Sequence, residues 1–249
     1  MVSLVAFNVI IAAVSLGLLV QRRRDLRRLR SFALGAYPIP PSQKELLLDV
    51  ARRCYRLPAL RKDASFCPPL FALLGATPSA VLRYGDCCSG RARLVILALH
   101  ELGIRAYQIT LYHRAGHAQH CLVEACLDGR RVIVDPMYGV YYEGPNGEPV
   151  SLKELQRGMA PRYVPLLDDG VCGYPANDYY DFDFRLSKTA NWTKSRLRNF
   201  AYTLLHKLTD GGIDHLEVPA VLEWPQHLFI ALALLCAMAV NGTVMLASF

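Results

Sequence analysis

The chain has 249 residues, 53% of them hydrophobic, and a formal net charge of +7. That length suits one good-sized domain with appendages, and the hydrophobic fraction is high for a protein confined to water. The charge is local: six arginines lie between positions 22 and 30, and setting them and Asp25 aside leaves 22 bases against 20 acids, a balance of +2. No basic patch with interleaved aromatics remains, so nucleic acid is not indicated as a partner.

The apolar excess sits at the two ends. Val2 to Val20 is uncharged and broken only by Ser3, Asn8 and Ser15; Leu228 to Phe249 is a second uncharged run. Each is long enough to cross a hydrocarbon core of about 30 Å as a helix. A cleavable signal peptide would carry Lys or Arg before its apolar stretch, whereas here the arginines follow it. Arg22, Arg23, Arg24, Arg27, Arg28 and Arg30 resist translocation. They predict that the segment between the two spans is cytoplasmic and that both termini lie outside; the opposite, periplasmic or extracellular, placement is the alternative. The same arginines, Arg22 to Arg30, are positioned to touch lipid headgroups.

Ala36-Tyr-Pro-Ile-Pro-Pro41 reads as a stiff linker closing a basic juxtamembrane stretch over 22–41. Ser42 and Glu45 form a capping-box pattern, opening a helix that carries Leu46, Leu47, Val50 and Cys54 and ends before Pro58. Thr77-Pro78 opens a short helical turn. Gly85 then breaks the chain, Asp86 can cap, and 87–102 reads as a helix stopped by Gly103. Beyond it the hydrophobic period changes from 3.6 to 2. Strands are predicted over 106–112, 119–126 and 131–134, the last two joined by the tight-turn dipeptide Asp128-Gly129. Ser151 and Glu154 form another capping box. Residues 160–190, rich in Pro, Gly, Tyr and Asp, read as irregular coil, and 190–208 as an amphipathic basic helix leading back to the membrane. Trp192 and Trp224 are expected to pack, the latter near the membrane interface. There is no internal repeat.

Cys54, Cys67, Cys87, Cys88, Cys121, Cys126, Cys172 and Cys236 form no small-domain disulfide framework. With a cytoplasmic placement they are expected to be mostly free thiols. Asn191-Trp192-Thr193 matches a glycosylation sequon that would be inert there.

Three features carry chemistry. A cysteine pair, Cys87-Cys88, opens the helix of "GDCCSGRARLVILALHELGIRA". His120 starts "HCLVEACLDGRRVIVDP", and Asp135 closes the following strand. A thiol attacks a carbonyl as thiolate, and a helix N-terminus favours that anion. A histidine must take and return the proton, and a carboxylate must orient its ring. Neighbouring strands can set His120 beside Asp135.

The quoted stretches resemble the transglutaminase-like superfamily of papain-related cysteine enzymes, over roughly residues 75–142. In that family a nucleophilic cysteine stands four residues before a small helical residue and ahead of a Gly-Ile pair, here Ala92 and Gly103-Ile104. The base begins a His-x-x-x-Glu strand, here His120 to Glu124, and the acid lies in an Asp-Pro step, here Asp135-Pro136. The resemblance implies an α+β fold in which a helix packs on an antiparallel sheet, in a domain over 42–224 flanked by membrane helices over 1–21 and 225–249.

It also implies a Cys88-His120-Asp135 triad. Cys88 shares an apolar helical stripe with Ala92, Val95, Ile96 and Leu99, whereas Cys87 shares one with Arg91. The run "YGDC" instead resembles the family's Tyr-Gly-x-Cys and would select Cys87, so both remain candidates. The oxyanion would meet the nucleophile's own N–H and an upstream side chain, for which Tyr84, Arg83 and Asp86 are the candidates. Glu124 is expected to support the site by hydrogen bonding. His117, at an odd offset from His120, is expected in a loop or at the rim.

The expected activity is acyl transfer from an amide in a protein or peptide substrate, hydrolysis being favoured over cross-linking, with no cofactor. Two other readings compete. One is a non-catalytic scaffold in a membrane assembly for export or polysaccharide. The other is a zinc module drawing on His117, His120, Cys121, Cys126, Cys87 and Cys88, against which the lack of paired Cys-x-x-Cys knuckles counts.

Overall fold

In the computed structural model the described residues are 2–35, 42–58, 77–167, 182–192, 196–218 and 223–246. The first element, α1, runs from Val2 to Leu34 without a break. The arginine stretch expected as linker is therefore helix as far as Leu34. The reason lies on its other face. Asp25, Leu29 and Ala33 recur at four-residue steps, and all three are buried, while Arg23, Arg24, Arg27, Arg28 and Arg30 point outward. The one acid in the basic stretch is thus an inward residue: its Oδ2 accepts 2.7 Å from Gln226 Nε2. The proline-rich stretch 36–41 lies outside the described residues.

Helix α7, Pro225–Leu246, runs antiparallel to α1. Arg22 stands 5.0 Å over the Trp224 ring where the two meet, and Asn8 and Asn241 exchange amide hydrogen bonds of 3.0 and 3.1 Å near their far ends. Both helices are long and apolar enough to cross a membrane, and the apolar windows are exposed along their length.

Between them lies an α+β body. Ser42 Oγ accepts from Glu45 N at 3.2 Å and starts α2, Gln43–Tyr55. Thr77 caps α3, Pro78–Tyr84, and α4 spans Cys88–Glu101. Five antiparallel strands follow in meander order: β1 Arg105–Tyr112, β2 Ala118–Leu127, β3 Arg130–Asp135, β4 Val140–Glu143 and β5 Arg162–Pro165. Asp128 and Gly129, both at positive φ (46° and 81°), make the tight β2–β3 turn. The complete Ser151–Glu154 capping box starts α5, Leu152–Gln156. A 3₁₀ turn at Phe184–Leu186, α6 at Arg196–Leu208 and a 3₁₀ turn at Gly212–His215 complete the body.

Two sheet strands, β4 and β5, exceed the predicted three. Each is four residues long, too short to show a period, and β5 falls in the stretch expected as coil. Residues 168–181 of that stretch lie outside the described residues. The predicted helix over 190–208 is helical from Arg196.

The sheet separates two cores. On one face, α4 lays Ala92, Val95, Ile96 and Leu99, all fully buried, against Cys121, Val123 and Ala125 of β2 and Val132 and Val134 of β3; α2 and the end of α1 close over them. On the other, Ile109, Leu111, Leu122, Ile133 and Tyr142 pack on Leu152 and Leu155 of α5. The helical stripe read from the sequence is thus the one that meets the sheet. Each large aliphatic group so buried stabilises by about 1.5–3 kcal/mol.

Candidate active site

The order of the core brings Cys88, His120 and Asp135 to one end of the sheet. Asp135 closes β3 and turns the chain. Its Oδ1 accepts the backbone N–H groups of Met137 and Tyr138 at 2.9 and 3.1 Å, and its carbonyl accepts from Gly139 N at 2.9 Å. Gly139 is required there twice over: its φ is +65°, and a Cβ would run into the Tyr55 ring of α2. With one oxygen fixed by the turn, the other, Oδ2, lies 2.6 Å from His120 Nε2. Both side chains are buried.

Strand alternation by itself puts His120 with Leu122 and Glu124 on the face away from α4. It meets Cys88 at the end of the sheet, where two irregularities lie. The β2–β3 ladder begins only at Val123↔Val134, so His120 stands past the paired region, where β3 no longer divides the two faces. The β1–β2 register also shifts, Leu111 facing His120 but Tyr112 facing Ala118. That bulge at Gln119 increases local twist and re-aims the strand. The Cys88 side chain lies close enough to the imidazole to raise its proton affinity. Because Asp135 holds Nε2, Nδ1 is the ring atom left for the sulfur. The Tyr138 ring lies 5.2 Å from the imidazole, and Phe182 stacks over it at 6.1 Å.

Burial alone would push His120 below its ordinary 6.5. The Asp135 charge and hydrogen bond, joined by those of Cys88, outweigh it and raise the ring to about 10. The arrangement therefore favours an imidazolium beside the Asp135 carboxylate.

Cys88 is the first helical residue of α4, half-buried and packed on the core; Cys87 is the N-cap, exposed, its sulfur 3.3 Å from Ser89 Oγ. A hydrogen bond to the Cys88 sulfur, and then desolvation, push the Cys87 thiol up to about 12. Asp86, expected to cap, instead accepts from Cys87 N at 2.7 Å and folds its carboxylate over the first turn. A Cβ at Gly90 would overlap that carboxylate. Burial raises Asp86 to about 6.

Arg91 was expected to mark the outward stripe of α4. It is buried. Its guanidinium donates to the carbonyls of Cys54, Tyr55, Leu57, Pro58 and Asp86 at 2.7–3.1 Å. It thereby ties the end of α2 and the turn before Cys87 to the start of α4, giving each of these carbonyls a donor. Tyr138 and Phe182 likewise went unnoticed, since nothing local in sequence ties them to His120.

The supporting candidates divide. Glu124 Oε1 accepts from Leu152 N at 2.7 Å, and its other oxygen accepts from Arg131 Nη1 at 3.0 Å and from the Tyr107 hydroxyl. It caps α5 and braces β1 against β2. Burial raises it to about 7. Tyr84 ends α3, with the Arg83 guanidinium 5.0 Å over its ring.

His117 is at the exposed hairpin tip, stacked on His113 at 4.8 Å. It precedes both strand and bulge, so its offset from His120 carries no face information. Cys121 faces the α4 core and Cys126 lies at the far end of β2, away from His117 and Cys88. No group of three or more His, Cys, Asp or Glu among the described residues is arranged to hold a metal ion, and the six described cysteines are free. No family model, no curated protein and no solved structure matches this chain.

Proposed function

We propose that the chain is a membrane-anchored cysteine acyl-transfer enzyme of the transglutaminase-like, papain-related kind, with Cys88 as nucleophile, His120 as acid–base and Asp135 as the residue that holds the ring. The observation that carries this is the imidazole buried between the Asp135 carboxylate at 2.6 Å and the Cys88 thiol at the first turn of α4. A buried histidine serving packing alone has no need of a carboxylate on one nitrogen and a thiol as the other partner.

The Cys88 thiolate attacks an amide carbonyl carbon of a protein or peptide. The oxyanion draws on the unpaired N–H groups that begin α4. The carbon–nitrogen bond breaks as the imidazolium gives its proton to the departing amine, leaving a thioester. Water, losing a proton to the imidazole, attacks the thioester carbon; the carbon–sulfur bond breaks, the carboxylic acid leaves, and the thiolate–imidazolium pair is restored. Hydrolysis is favoured over cross-linking. The body lies on the cytoplasmic side, as the exposed arginines of α1 favour, and the free thiols accord with that side. Cys87, whose thiol stays protonated, is the weaker nucleophile.

The test uses the full chain in detergent micelles with an iodoacetamide probe, the modified cysteine identified by peptide mass, and cleavage of a mixed peptide library as the second readout. Cys88 is expected to react fastest. Cys88→Ala is expected to abolish both fast labelling and cleavage, while Cys87→Ala keeps them. Equal slow labelling of all thiols refutes the proposal.

A further inference from the structure

Helix α6 wears its apolar residues on the outside. Phe200, Leu204 and Leu208 follow at four-residue steps and are 69%, 52% and 72% exposed, with Leu205 beside them. The helix is held to the body by its opposite side. The Tyr202 ring packs on Trp192 at 5.6 Å and beneath Lys188 Nζ at 3.8 Å, and His206 Nε2 lies 3.6 Å from Asp214 Oδ2. At about 3.6 residues per turn, Tyr202 and His206 stand roughly opposite the Phe200–Leu208 strip. Arg196 and Lys207, both exposed, border that strip. A helix of a water-soluble body turns its apolar stripe to the core; this one turns it away, with cations along the edge.

We propose that α6 is an interfacial helix that lies in the plane of a lipid bilayer, with Phe200, Leu204 and Leu208 among the acyl chains and Arg196 and Lys207 at anionic headgroups. Three features commit the strip to lipid. The cations match an anionic leaflet. Only the sixteen residues 209–224 separate α6 from α7, one of the two helices apolar and long enough to span. The exposed arginines of α1, at the end of the other helix long enough to span, match an anionic leaflet as well. The inference goes beyond the acyl-transfer reading and does not depend on it. It also places bilayer contact one short segment from the site, because 182–192 runs from the Phe182 ring over His120 to Trp192 against Tyr202.

The test places photoreactive benzoylphenylalanine at Leu204, at Leu208 or, on the opposite side of the helix, at Asn199. The full chain is irradiated in nanodiscs of phosphatidylcholine with or without phosphatidylglycerol. Phospholipid adducts are expected at Leu204 and Leu208 at about tenfold the yield at Asn199. Phosphatidylglycerol is expected to raise them about fivefold, a gain lost in R196Q/K207Q. Equal yields at all three positions, or adducts to polypeptide in place of lipid at Leu204 and Leu208, overturn the proposal. Yields indifferent to phosphatidylglycerol overturn the headgroup contact.

Discussion

Replacing Asp135 by Asn tests the electrostatics of the site while keeping its shape. The amide oxygen can still accept from Met137 N and Tyr138 N, so the turn survives, but the charge facing His120 Nε2 is gone. Burial, which lowers the imidazole, then loses its main opponent. His120 is expected to fall from about 10 in the unaltered protein to below 6.5 in Asp135→Asn. At about 1.4 kcal/mol for each tenfold change in proton affinity, that is a few kcal/mol, a large fraction of a typical domain's stability.

The sign follows from linkage. A histidine raised above its unfolded value stabilises the fold fully below 6.5 and progressively less as pH rises through about 10. The stability gap between the parent chain and Asp135→Asn is therefore widest at about pH 5–6.5 and narrows towards pH 10. The assay is ring NMR of histidine-labelled protein in micelles, with thermal unfolding over the same range. A parent His120 that titrates near 6.5, or one that Asp135→Asn leaves unmoved, refutes the reasoning.

Arg91→Ala takes a donor from five carbonyls, of which Cys54 keeps the Leu57 N–H, and is expected to cost about 2–3 kcal/mol in denaturant unfolding, whereas a loss under about 1 kcal/mol would mean that water replaces the guanidinium at no great cost. Gly90→Ala drives a methyl into the Asp86 carboxylate and is expected to destabilise by about 1–2 kcal/mol. Adding Asp86→Ala should reverse the sign, because alanine is the better helix former by about 1 kcal/mol; persistence of the loss in the double variant would place the clash elsewhere. Between the two long apolar helices α1 and α7, Asn8→Leu removes a reciprocal amide pair, but Asn241 Nδ2 keeps the Ala237 carbonyl at 2.7 Å. A loss of only about 0.6 kcal/mol is expected from unfolding in bilayers, and one above about 2 kcal/mol would show that the pair is worth more than its geometry suggests.

Local signals were legible where they act locally. Ser42, Thr77 and Ser151 start helices because each side chain satisfies an amide three residues on, and Asp128-Gly129 turns because both residues take positive φ. The two apolar runs are readable because length and composition alone make a helix long and apolar enough to span. The stripe Cys88-Ala92-Val95-Ile96-Leu99 is readable because period fixes a helix face. Other features depend on partners far away in the chain. Arg91 becomes an inward residue only when the carbonyls from Cys54 to Pro58 arrive beside it, and α1 continues through its arginines only because Leu29 and Ala33 find a core.

The chemistry divides in the same way. Sequence named a cysteine at a helix start, a histidine on a strand and an aspartate before a proline, since each residue type suits its task. That His120 can meet Cys88 was decided by a β2–β3 ladder that begins only at Val123, so the ring stands beyond the paired strands at the end of the sheet. Pairing register is a property of two strands together, and no single strand's pattern contains it.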